Sequence, residues 1–174
     1  MSIEKWDILR SDGTATGRQT VRGGNTLKAG EYHLVVHIWI VSSTGRFLIQ
    51  RRAQSKKLMP GEWAATGGAA IAGEDSFAAA QRELFEELGI KGDQNTLKKL
   101  TRIKRRNSLV DVWVITTDTP ENALVLQKSE VAEARWVTRE RLCEMIDEGM
   151  YHNYGKEYFN TVFSKIEDYL GVCV

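Results

Sequence analysis

The acidic and basic side chains able to do chemistry are concentrated between residues 67 and 90. The order there is Gly68-x5-Glu74-x7-Arg82-Glu83-Leu84-x-Glu86-Glu87-x-Gly89-Ile90. At about 100° per residue on a helix, Glu83, Glu86 and Glu87 share a sector of roughly 100°. The centre of that sector lies well away from a stripe of Phe77, Leu84 and Leu88. Carboxylates crowded on one face repel one another. A divalent cation removes the repulsion, and oxygen-rich coordination is what Mg²⁺ prefers. A lone Glu-x-x-Glu-Glu would read as a solvated acidic face, but the register of Gly68, Glu74, Arg82 and Gly89 favours the cation site. Gly67-Gly68 allows a tight turn that brings a backbone carbonyl near the metal. Arg82 neighbours Glu83 and reaches Glu86 at i,i+4, while a Glu74–Arg82 pair would pin the loop to the helix.

Further candidates lie outside this stretch. Glu130 opens a predicted strand and is a candidate additional carboxylate, with Glu133 as its neighbouring alternative. Arg51, Lys56 and Lys57 sit in the run Gln50-Arg51-Arg52-Ala53-Gln54-Ser55-Lys56-Lys57-Leu58-Met59-Pro60-Gly61-Glu62-Trp63. Cations there could neutralise phosphate oxygens, with Arg able to do so bidentately; the alternative is a basic surface loop. Lys104-Arg105-Arg106 reads as a solvated turn rather than a phosphate contact, and His33 as a satisfied strand-edge histidine. Trp63, Trp113 and Trp136 fall at strand positions, where large aromatics read as core rather than as base-stacking platforms.

The elements that must position these groups are legible as patterns. Ser76 is expected to cap a helix over 76–88, stopped by Gly89 in the left-handed conformation. The apolar, β-branched run 33–41 reads as a buried strand, paired through a turn at 42–45 with a strand at 46–51. Further strands are expected at 62–66, 97–103, 109–116 and 131–137, and a hairpin at 6–9 and 18–21. Thr138 caps a helix reaching about Glu148. Tyr158, Val162, Ile166 and Leu170 mark a C-terminal amphipathic helix. Strands on both sides of a central helix, with helices at the end, predict an α/β fold with a mixed sheet between helices.

The composition excludes several classes. A formal net charge of +1 gives no electrostatic sign of nucleic-acid polymer or membrane binding. Cys143 and Cys173 lie far apart, which argues against a disulfide framework and suits a reducing compartment. No leader-like apolar run opens the chain and no stretch is long enough for a membrane span, so a cytoplasmic location is expected. Residues 1–174 are read as a single domain.

The motif at 68–90 resembles the Nudix box, with no gap or substitution. That resemblance implies the Nudix α/β/α sandwich and a Mg²⁺-dependent enzyme, with Mn²⁺ as a substitute ion. It implies metal ligation by the Gly67 carbonyl, Glu83, Glu86 and Glu87. It also implies that Arg82, tied to Glu74, orients a catalytic glutamate. Glu83, Glu86 and Glu130 are the catalytic carboxylate candidates. The run 50–63, together with His33-Leu34 and Glu130-Val131, looks like isopentenyl-diphosphate isomerase, a Nudix-fold enzyme whose basic residues there hold a diphosphate.

The departures from that isomerase decide the chemistry. Its proton-transfer cysteine is matched by Gly68, one metal histidine by Ala70, and another falls near Thr26. The isomerases also carry a degenerate box, whereas the box here is complete. The expectation is therefore hydrolysis of a P–O–P link in a nucleoside diphosphate derivative or related organic diphosphate, by water whose proton a carboxylate removes. The alternatives are an isomerase-like enzyme and a non-catalytic, nucleotide-sensing Nudix module. The expected partner is a small-molecule diphosphate, and a homodimer is compatible with the fold.

Overall fold

The computed structural model describes residues 4–24 and 27–171; Thr26, Cys173 and the first three residues of the stretch read for a leader lie outside the described residues. The hairpin is present as β1 (Lys5–Leu9) and β2 (Ala15–Val21), paired antiparallel. The main sheet contains β3 (His33–Val41), β4 (Phe47–Arg52), β5 (Trp63–Ala64), β6 (Thr66–Ala69), β7 (Leu97–Lys104), β8 (Ser108–Thr116) and β9 (Val131–Val137). Its helices are α1 (Ser76–Leu88), α2 (Arg139–Asp147) and α3 (Lys156–Leu170).

β3 organises the sheet. It runs parallel to β8 along its whole length, from His33↔Ser108 to Val41↔Thr116. Its other edge is divided: Val35 to Ile38 pair with β6, and Ile40 and Val41 pair with β4. β4 continues outward to β9 and β5, so the sheet forks where β3 changes partner. Side chains alternate across a strand. Leu34, Val36, Ile38 and Ile40 accordingly pack with Leu84 and Leu88 of α1. Trp39 and Val41 face the opposite side, against Val162, Phe163 and Ile166 of α3. The result is the expected α/β/α arrangement.

Three local expectations are corrected. Gly67-Gly68, expected as a tight turn, lies within β6, paired with His37 and Val36 of β3. Asp75, not Ser76, is the N-cap of α1, its carboxylate accepting from the Ala78 N–H. Ser76 instead accepts from Trp113 Nε1 at 3.0 Å, which ties the helix start to β8. The predicted strand at 62–66 is two strands broken at Ala65, because β5 pairs with β4 and β6 pairs with β3. Gly89 stops the helix as expected, at φ 72° with its N–H donating to Phe85 O. Among the described residues, no helix is long and apolar enough to cross a membrane.

Candidate active site

Glu87 departs most from a solvated acidic face. It is only 3% exposed, because α1 lies against β6 and β3, with Gln50 of β4 against its carboxylate. Its Oε2 accepts from Gln50 Nε2 at 2.8 Å and from the Gly67 N–H at 3.0 Å. Burial, reinforced by repulsion from Glu83, pushes its carboxyl up to about 8. Burial also raises Glu83, against the pull of Arg82. Glu86 is the open member of the set, its side chain 47% exposed.

Two glycines make this approach sterically feasible. Gly67 has φ +145°, and a Cβ there would stand 2.0 Å from the Val36 carbonyl oxygen. A Cβ on Gly68 would stand 2.4 Å from Glu83 Oε1. Any side chain at either position would displace β3 or the Glu83 carboxylate, so the backbone of β6 comes directly against the acidic face.

Arg82 holds the loop to the helix. It forms a fork on Glu74 at 2.7 and 2.9 Å and reaches the Ala69 carbonyl at 3.1 Å. The same guanidinium donates to Glu83 at 2.9 Å and Glu86 at 3.2 Å. The hydrogen bond to Glu74, with the charges of Glu83 and Glu74, raises its pKa further above its ordinary value.

The donor set suits a hard divalent cation: three carboxylates and a glycine carbonyl, with Glu87 buried beside Glu83. Among the described residues, no three acidic, histidine or cysteine side chains are already gathered into a metal cage. Arg82 supplies the physical reason, because its guanidinium draws Glu83 and Glu86 toward itself.

These groups line one cleft of about 430 Å³. Glu130 is in it, and Lys56 Nζ lies 2.6 Å from Glu130 Oε1. Arg51 is not brought there. It pairs with Glu133 at 3.0 Å, next to Trp63. Its neighbour Arg52 lines the cleft instead and donates to the Leu58 carbonyl. Lys57 is exposed and outside the lining. His33 is satisfied, Nδ1 lying 2.9 Å from Asn107 O, and its ring stacks on Trp6. Arg105 lies over Tyr154 and Tyr158, so the predicted solvated turn is partly anchored. Trp63 and Trp113 are core, each 7% exposed, and Trp136 packs partly buried against the core.

Sequence reasoning missed Gln50, Arg52, His37 and Tyr154. Gln50 carried a usable signal, an amide at the end of the apolar run Phe47-Leu48-Ile49, where a buried polar group implies a buried partner. His37 is buried within β3, with Nδ1 2.7 Å from Tyr158 Oη. Desolvation lowers its pKa to about 3, so it is neutral. Tyr154 reaches the cleft floor from the loop before α3, and no local pattern marks it.

The chain is similar to known proteins over most of its length. The model of the NUDIX domain matches residues 31–156. An uncharacterized Nudix hydrolase of Listeria monocytogenes, lmo0368, is 39% identical over 163 residues, 93% of this chain and 95% of that protein. Nudix hydrolase 3 of Arabidopsis thaliana is 34% identical over 154 residues, 80% of this chain and 20% of that larger protein. The crystal structure of DR0079 from Deinococcus radiodurans superposes with a TM-score of 0.73 at 25% identity, covering 85% of this chain and 91% of that one. With the complete motif folded around a buried glutamate, the family match means that the chain belongs to the Nudix superfamily and is a hydrolase.

Proposed function

We propose that this enzyme hydrolyses the P–O–P link of a nucleoside diphosphate derivative or related organic diphosphate, dependent on Mg²⁺ with Mn²⁺ as a substitute. The observation that carries the reading is Glu87: a buried carboxylate beside a second one, hydrogen-bonded to an amide and a backbone N–H. Such a group is costly to keep charged until a cation arrives. Glu83, Glu86, Glu87 and the Gly67 carbonyl would hold the ion. Bound there, it would neutralise phosphate oxygens and lower the pKa of a water.

The chain's own residues supply the rest. Glu83, Glu86 and Glu130 are the carboxylates available to take the proton of the attacking water. The water oxygen attacks one phosphorus, the bridging P–O bond breaks, and the other phosphate leaves with its oxygen. Arg82 is a positioning residue that orients Glu83 and Glu86. Arg52 on the cleft wall and Lys56, outside the lining but held on Glu130 within it, are the cations assigned to phosphate oxygens; Lys57 is exposed and outside the lining.

Gly68 supports hydrolysis over carbon chemistry. The isomerase-like scaffold would need a cysteine there, and the space that its Cβ would take is occupied by Glu83. The test is phosphate release with and without Mg²⁺, across nucleoside diphosphate conjugates, nucleoside triphosphates and prenyl diphosphates. Turnover that needs Mg²⁺ and falls about 10²–10³-fold in Glu87→Gln is expected. Full turnover in a folded Glu87→Gln protein would sink the assignment.

A further inference from the structure

The β1–β2 hairpin precedes the family-matched segment 31–156, yet it builds one wall of the same cleft. Glu4, Trp6 and Arg22 line the cleft together with His33 and the box carboxylates. The hairpin is braced against the motif loop: Ala72 N–H donates to Lys5 O and Gly73 N–H to Asp7 Oδ2, both at 2.8 Å. Leu9 and Tyr32 exchange both backbone hydrogen bonds, at 2.8 and 3.0 Å. The wall therefore stands at a set position relative to Glu83 and Glu87 before any ligand arrives.

Its chemistry is specific. The Trp6 and His33 rings lie flat on one another, centroids 4.3 Å apart and planes 13° from parallel. Trp6 Nε1 donates to Glu4 Oε1 at 2.9 Å, and Arg22 pairs with Glu4 Oε2 at 2.8 Å. Burial works to raise the Glu4 carboxyl, but the bonds from Trp6 and Arg22 outweigh it and keep Glu4 anionic. A flat aromatic surface beside a fixed anionic acceptor suits a planar heteroaromatic ring carrying N–H or O–H donors. It does not suit a prenyl chain, which would desolvate the Glu4–Arg22 ion pair without offering it a hydrogen bond.

We infer that the hairpin is the substrate-selecting wall of the cleft: Trp6 stacks on the base of a nucleoside diphosphate and Glu4 accepts from its hydroxyl or amino donors. This assignment rests on the diphosphate reading of the site and adds the nucleoside half. The division is physically reasonable. The acidic helix face meets the ion and phosphates, which every substrate of the class shares, and the hairpin meets the part that varies.

The test separates the two readings by measuring binding apart from turnover. ADP, CDP, GDP and UDP are titrated calorimetrically, with Mg²⁺, into the full chain carrying Glu87→Gln, and again with Trp6→Ala, Trp6→Phe or Glu4→Gln added. At least one nucleotide should bind, with affinity falling about tenfold to hundredfold in Trp6→Ala, the range of one lost base–aromatic stack. Trp6→Phe should recover most of it, and Glu4→Gln should cost about tenfold. Inorganic pyrophosphate should bind all variants alike. In the protein without Glu87→Gln, Trp6→Ala should raise KM for nucleoside conjugates with kcat retained. Equal losses for pyrophosphate and nucleotides, or nucleotide binding indifferent to Trp6, would overturn the inference. Base-dependent binding without hydrolysis would keep the wall and remove the catalytic reading.

Discussion

Among the described residues, two carboxylate side chains, those of Asp111 and Glu87, are buried and held in opposite ways. Asp111, on β8, is 0% exposed, yet it meets two cations: Lys99 at 2.7 Å and Arg102 at 2.6 and 2.8 Å. Burial works to raise its pKa, but Arg102, Lys99 and Ser76 outweigh it and hold it below the ordinary value. Glu87, 3% exposed, meets the Gln50 amide and the Gly67 N–H, and its carboxyl is pushed up to about 8. One charge is neutralised within the chain and serves the fold. Among the described residues no cation is hydrogen-bonded to the oxygens of the other, so its charged form is costly to bury.

The contrast predicts opposite losses. Glu87→Gln should reduce kcat/KM about 10²–10³-fold, the scale of one lost charge-stabilising group, with stability in a chelator unchanged or raised. Saturating Mg²⁺ at about 100 Kd should stabilise the unsubstituted protein by about 2.7 kcal/mol in urea unfolding, and the gain should be smaller in Glu87→Gln. An equal Mg²⁺ gain in both would break the comparison.

Asp111→Asn should do the reverse. It strands two cations, each about a third exposed and able to turn to water. A loss of about 2–3 kcal/mol in urea unfolding is expected, below the full cost of breaking a buried pair. Turnover per folded molecule and the Mg²⁺ response should survive.

The pH response in chelator sharpens the contrast. The Glu87 pKa is raised, so its contribution to stability is complete below about 4.5 and is lost as pH rises through about 8. The Asp111 pKa is lowered, so its contribution is present above about 3.8 and is lost as pH falls through its depressed folded value. Between about pH 5 and 8, Glu87→Gln should lose less stability than the unsubstituted protein. On acidification below about pH 5, Asp111→Asn should lose less. Parallel urea midpoints for all three proteins across both ranges would contradict the assignment. The smallest effect should come from Lys99→Met, which leaves the two Arg102 bonds to Asp111 intact. About 1 kcal/mol in urea unfolding is expected, with activity retained.

The strands, the three helices and the α/β/α layering were legible because strand and helix periods are local properties of the chain. Capping was less so: Asp75 and Ser76 are adjacent polar residues, and contact with Trp113 distinguishes their roles. The box was fully legible as a motif. The basic run 50–57 was legible as a group, but the choice between Arg51 and Arg52 was not. One residue of strand register sends one side chain to Glu133 and the other to the cleft.

By itself, the sequence determined that a helix carrying neighbouring glutamates follows a pair of glycines in the pattern of the Nudix box. Spacing along one helix is enough to define which carboxylates are neighbours. Only the tertiary structure decided that Glu87 is buried against Gln50 and Gly67, that Asp111 is neutralised, and that the N-terminal hairpin reaches the same cleft. Burial and charge balance depend on which distant segments meet, and those meetings are set by strand pairing across the whole sheet rather than by local pattern.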